Sequence, residues 1–224
     1  MSSTDLDSSE KSTLINNTIL LQLVKRAAGL PADDLDWDKI SSLTKLNCSG
    51  SHLSSLAGIS CLPHLKCLDL SRTQVTDLSP LQHCQDLEQL HLADTSITDI
   101  SPLSLVSSIK ELTLTRSLVT DIQPLSLCNN LETLYLYDTQ ISDISPLSKC
   151  GNLQVLDLQS SFKITDISAL STCTKLVVLD LKGTNVTSVA PLVTCVGLKS
   201  LSVRNTKISN LALLNSLPRL YIRQ

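Results

Sequence analysis

Aromatic side chains are almost missing from this chain: phenylalanine and tryptophan occur once each and tyrosine three times in 224 residues. Any core must therefore be aliphatic. Glycine is sparse as well, at six residues, and no glycine-rich phosphate loop or metalloprotease motif is present. No stretch reaches the roughly 18 apolar residues that a membrane-spanning helix needs. Met1 to Glu10 is polar and acidic, unlike a secretory leader with its basic and then apolar regions. Nor is there an excess of positive charge: 18 Lys+Arg against 21 Asp+Glu give a net charge of -3. No global field then attracts phosphate backbones or anionic lipid. The expectation is a soluble cytoplasmic chain whose partners are neither nucleic acid nor membrane.

What the chain does have is leucine, at about one position in five, well above ordinary usage. The leucines recur in the pattern L-x-x-L-x-L-x-x-T-x-I-T-D-I-x-P-L-x-x-C-x-x. Its units open at Leu43, Leu65, Leu87, Ile109, Leu131, Leu153, Leu176 and Leu198, 22 residues apart except for one step of 23. One such unit cannot enclose its own apolar side. Stacked as coils of a solenoid, the units align like residues at the spacing of paired strands, and leucine ladders form a continuous interior. The L-x-x-L-x-L segment reads as a short strand, so the strands form one parallel sheet. On the opposite side Ser79-Pro80-Leu81, Ser101-Pro102-Leu103 and Ser145-Pro146-Leu147 recur, with serine as the expected N-cap and proline as the first residue of a helical turn.

This pattern resembles the leucine-rich repeat family, in the 22-residue subclass found in the regulatory subunit of type-one protein phosphatase and in bacterial internalins. The resemblance covers residues 43–222. It implies an α/β fold, a right-handed solenoid with a curved parallel β-sheet on the concave face and short helical turns on the convex face. Thr73, Thr95, Thr139, Thr184 and Thr206 stand where that family usually carries an asparagine ladder, and their hydroxyls are expected to satisfy the same buried backbone groups less completely.

The ends of such a stack need covers. Residues 1–12 are expected to be a disordered tail and 13–42 a helical cap. Within the cap a helix from Thr13 to Ala28 is started by Ser12 or Thr13 and stopped by Gly29 and Pro31. Trp37, among Asp33, Asp34, Asp36 and Asp38, is assigned to packing the junction of cap and first coil. Eight repeats then fill 43–219, and Leu220-Tyr221-Ile222 opens a terminal strand or partial ninth repeat within 220–224. That strand reads as a minimal cap, as an edge that pairs with another chain, or as the point where a longer protein was cut.

Other constellations have plain readings. Cys84, Cys128, Cys150, Cys173 and Cys195 share one ladder position with Leu62, Val106 and Leu217, so they serve as small buried hydrophobes in a reducing compartment. Cys61, His64, Cys67, His83 and Cys84 have spacing suggestive of zinc. The register sends Cys61 and His83 to the convex side, Cys67 to the sheet face and Cys84 to the core, so no metal is expected. Asp77, Asp99, Asp121, Asp143 and Asp166 recur once per coil and are read as turn caps. Phe162 arrives with the single-residue insertion in Gln159 to Lys163; it reads as filling a local gap or as an exposed contact at the rim, with packing the expected role. His91, with Asp69, Thr113, Ser71 and Asp94 nearby, mimics a catalytic constellation on an open face that has neither an oxyanion hole nor a means of excluding water. Neither a cofactor nor enzymatic activity is expected.

The outward strand positions Asn47, Asp69, His91, Thr113, Tyr135, Asp157, Asp180 and Ser202 form a polar arc, roughly 40 Å across at eight strand spacings. At its middle His91, Asp94, Arg116, Tyr135, Tyr137, Asp138 and Asp157 make the candidate partner-binding patch, because Tyr and Arg supply large contact areas with a polar handle. The expected function is a non-catalytic interaction scaffold or regulatory subunit that binds a protein on the concave face. By resemblance that partner is a phosphatase or another cytosolic complex. The competing class is a structural assembly or adhesion module that self-associates edge to edge through the C-terminal strand.

Overall fold

The computed structural model describes residues 8–217 and 219–224. Its centre is a sheet of nine parallel strands in simple sequence order. The strands are β1 (Lys45–Asn47), β2 (Cys67–Asp69), β3 (Gln89–His91), β4 (Glu111–Thr113), β5 (Thr133–Tyr135), β6 (Val155–Asp157), β7 (Val178–Asp180), β8 (Ser200–Ser202) and β9 (Tyr221–Arg223). Each has three residues with an aliphatic centre, and the centres Leu46, Leu68, Leu90, Leu112, Leu134, Leu156, Leu179, Leu201 and Ile222 lie opposite one another in register. All but Ile222 are buried. The terminal strand expected at residue 220 thus forms as β9. The winding is right-handed, as parallel crossovers require.

Pairing continues beyond each strand into the following turn. The amides of Arg72, Asp94, Arg116, Asp138 and Ser160 donate to carbonyls of the next coil at 2.7–2.9 Å. These five residues have φ between 53° and 61°, a left-handed conformation that costs a non-glycine residue energy. Gly50 and Gly183 hold the same position without that cost. The coil-to-coil bond keeps the bulkier side chains in this turn.

The convex side carries 3₁₀ turns, among them Ser79–His83, Ser101–Leu105, Gln123–Leu127 and Ser145–Lys149. Serine does not cap them as expected. It is the first residue of the turn, and its amide is held from two residues upstream: Asp77, Asp99, Asp121, Asp143 and Asp166 accept from Ser79, Ser101, Gln123, Ser145 and Ser168 N–H at 2.7–2.8 Å. The recurring aspartates are therefore turn caps. Proline at the second position lacks an N–H that would otherwise need an acceptor.

Between sheet and turns lies one continuous aliphatic core. The threonine ladder closes it at the turn: Thr73, Thr95, Thr139, Thr184 and Thr206 donate to the carbonyl three residues back at 2.7–3.0 Å. A bond between coils is added where Ser161 Oγ reaches Leu136 O at 2.7 Å and lies 3.1 Å from Thr139 Oγ1. The cysteine ladder is buried, and Cys128, Cys150, Cys173 and Cys195 also offer Sγ to carbonyls of the preceding coil at 3.4–3.6 Å. That weak bond was not legible in the sequence. All eight cysteines are free thiols. Burial pushes Cys84 and Cys150 up to about 12.

The N-terminal cover is built from three helices, α1 (Ser8–Asn16), α2 (Thr18–Ala27) and α3 (Trp37–Ser41). The expected tail therefore ends earlier than residue 12, and the part at 1–7 lies outside the described residues. Ser12 and Thr13 sit inside α1, donating to Ser8 and Ser9 carbonyls, rather than capping it. The break falls at Asn17, whose amide accepts from Leu20 N–H and donates to the carbonyls of Ser55 and Ala57 at 3.0 Å. Leu14, Leu20 and Val24 are buried against the first coil. Gly29, with φ of 66°, ends the segment as expected. Trp37 packs partly buried at the junction under Lys11, and Asp36 caps α3 by accepting from Lys39 N–H. Cys61 lies on the convex side as expected, in the 3₁₀ turn Ile59–Cys61, but it is fully buried there because α1 packs over that turn.

Candidate functional site

Because successive side chains on a strand alternate, each three-residue strand turns its two flanking residues outward. The concave floor therefore consists of two parallel rows. One row runs Lys45, Cys67, Gln89, Glu111, Thr133, Val155, Val178, Ser200, Tyr221, and the other Asn47, Asp69, His91, Thr113, Tyr135, Asp157, Asp180, Ser202, Arg223. The sequence reading followed only the second row and so left out Glu111, Val155 and Val178. Counting both outward positions of the period-2 alternation finds them. Most floor residues are half-buried by their neighbours, with no described element laid across them.

Six of the seven candidate residues fall into two groups. On the rim, in the turns after β3 to β5, Arg116 makes a bidentate pair with Asp94 (Nε to Oδ1 2.5 Å, Nη2 to Oδ2 2.8 Å) and its guanidinium lies 5.8 Å from the Tyr137 ring centre. That pairing holds the Asp94 carboxyl below its usual value and raises the arginine. Asp138 stands exposed on the next coil, in the same left-handed turn position. With Arg72 the rim alternates in sign: Arg72, Asp94, Arg116, Asp138. On the floor Tyr135 adjoins Asp157 in register, and burial raises the Tyr135 phenol with help from Glu111 and Asp157. His91 stands apart from both groups, its Nδ1 3.1 Å from Thr113 Oγ1. The Asp69 carboxylate is turned to Ser71 N–H at 2.9 Å, so the apparent catalytic constellation is not assembled.

The three floor aspartates share one local task. Asp69, Asp157 and Asp180 each use Oδ1 to accept the amide two residues on, at 2.8–2.9 Å, and Asn47 does the same at 2.8 Å. Burial, opposed in part by this bond and reinforced by Asp180, raises the Asp157 carboxyl.

Phe162, expected to fill a gap, is 49% exposed. The inserted residue bulges outward at the rim, and Ile164 keeps the core position behind it.

The Leucine Rich repeats profile, in two copies, matches residues 41–83 and 129–172. The matched stretches are leucine-rich repeats, and the chain has the leucine-rich repeat fold. Its repeats share their architecture with internalin C2 from Listeria monocytogenes, at 28% identity and a TM-score of 0.86, over all of this chain and 99% of the other. An internalin (inlF) of the same organism matches over all of this chain and 72% of its own length, at 26% identity and a TM-score of 0.84. A leucine-rich repeat protein of Leptospira interrogans, at 21% identity and a TM-score of 0.74, shares the fold over 83% of this chain and 50% of the other. No curated protein sequence matches significantly. Leucine-rich repeat scaffolds of this kind typically mediate protein interactions. Among the described residues no helix is long and apolar enough to cross a membrane.

Proposed function

We propose that this leucine-rich repeat chain is a non-catalytic scaffold or regulatory subunit that holds a protein partner on its concave face. The observation that carries the reading is the contrast between two sides of the same strands. The inward leucine row is buried, while both outward rows, Ser202 apart, stay at least partly open to solvent and end in a rim where Arg116 is already fixed. An arginine locked between a carboxylate and a tyrosine ring loses little freedom on binding, which favours its use as an anchor. Eight free thiols, seven of them buried, suit the reducing cytosol. A phosphatase or another cytosolic complex is the class of target carried over from the resemblance.

Affinity capture from a lysate tests this. The Arg116→Ala/Tyr135→Ala variant is expected to lose the partners that the wild type retains, while a convex variant, Lys149→Ala, keeps them. Retention of the full set by the concave variant overturns the reading.

A further inference from the structure

The concave floor is sorted by charge in a way that the fold does not require. Strands β2–β8 carry Asp69, Glu111, Asp157 and Asp180 and no Lys or Arg, although basic residues nearly balance acidic ones over the whole chain. Lys45 and Arg223 stand only on the terminal strands β1 and β9. Asp157 and Asp180 face each other in register on β6 and β7. Adjacent strands lie about 4.8 Å apart, so these like charges repel.

The local fold asks of these two positions a single acceptor, the Oδ1 that receives Gln159 or Lys182 N–H. Asn47 supplies that acceptor on β1 without a charge. The two like charges stand side by side in register, and an uncharged side chain can make the same bond, so the turn does not require a charge at 157 or 180. Groups kept where the fold does not require them mark places where a protein does something other than fold. Beside the two carboxylates runs an apolar strip: Val155 and Val178 are paired in register, Val178 is 37% exposed, and Tyr135 borders Asp157.

We propose that the floor of β4–β7 docks a basic amphipathic helix of a protein partner, with two Lys or Arg side chains one turn apart on Asp157 and Asp180 and an aliphatic edge on Val155, Val178 and Tyr135. Residues i and i+4 of a helix have Cβ atoms about 5–6 Å apart, close to the strand spacing that separates the carboxylates. The same negative floor repels nucleic acid and anionic lipid. The inference rests on the concave-face reading above and narrows it to one partner chemistry.

The test uses the full chain and two labelled helical peptides of equal length and apolar pattern, one with Lys and one with Glu at the i, i+4 pair, measured by fluorescence anisotropy. The Lys peptide is expected to bind and the Glu peptide not. Its affinity should fall about tenfold or more in Asp157→Asn/Asp180→Asn. It should also weaken as salt rises from about 0.1 to about 1 M, where screening shortens from about 10 to about 3 Å. The variant should melt no lower than the wild type, because asparagine keeps the Oδ1 acceptor. No binding of the Lys peptide, equal binding of both peptides, or an affinity unchanged by the double substitution overturns the proposal. Lysate capture separates this failure from that of the parent reading. Partners lost with Arg116→Ala/Tyr135→Ala yet fully kept by Asp157→Asn/Asp180→Asn overturn the basic helix alone. Partners kept by both variants overturn both.

Discussion

Ser117 is buried to 3% exposure at the ladder position that most other coils give to threonine, and its Oγ is without a hydrogen-bond partner. Its equivalents Thr95 and Thr139 donate to the carbonyl three residues back, and a β-branch restricts rotation about χ1. Ser117→Thr is expected to supply that bond and bury a methyl group, for a gain of about 1 kcal/mol, seen as a melting temperature roughly 2–4 °C higher. A lower melting temperature shows instead that the coil has no room for the methyl. The sign of a second change depends on pH. The folded state raises the Asp157 carboxyl above its ordinary 3.8, so its ionisation destabilises the fold as pH rises through the raised value and has no effect below the ordinary one. Asp157→Asn should therefore raise the melting temperature at neutral pH, with the advantage fading as pH falls to 3.8. A constant difference across that range refutes the assignment. The threonines, aspartate caps and core cysteines were legible because each recurs at one register position. The thiol-to-carbonyl bonds and the unpaired Ser117 hydroxyl depend on rotamers that a sequence does not record.

At the scale of elements, the least regular part of the chain gave the sequence reading its largest misses. Helical periodicity over Thr13 to Ala28 runs straight through Asn17, yet the helix breaks there because the side chain binds carbonyls of Ser55 and Ala57, which are distant in sequence. The docking of α1 has a specific steric basis. Gly58 has φ of 92°, and a Cβ there would meet the Leu14 backbone at 2.5 Å from Cα and 2.7 Å from N. Gly58→Ala is expected to push α1 off the first coil at a cost of about 1–3 kcal/mol. Cys61 reports the event: α1 covers it, and its thiol is raised to about 11. Thiol labelling of Cys61 should speed up sharply in the variant while Cys150, in the middle of the stack, stays protected. Equal protection of Cys61 in both proteins contradicts this account of the cap. Phe162 was misplaced for a related reason, since an insertion shows where register slips and not the direction in which the extra residue bulges.

At the scale of the whole molecule, repetition made the fold readable. Seven spacings of 22 or 23 residues between eight units determine the register, and register sends the leucines of the repeat pattern inward and the strand residues between them to the concave face. Partner choice is less legible, because the outward rows are free of the core's demands. Their charge sorting emerges only when both rows are laid side by side on the curved sheet. That geometry also supplies its own control. Carboxylates stand on both sides of the solenoid, Asp69, Asp157 and Asp180 on the concave floor and Asp77, Asp99, Asp121 and Asp143 on the convex turns. Carbodiimide footprinting of the chain, free and with its captured partner, compares the two sets in one experiment. Protection confined to Asp157, Asp180 and their concave neighbours, with the convex aspartates labelled as in the free protein, is the predicted result. Protection of the convex aspartates while the concave ones label at their free rate contradicts it.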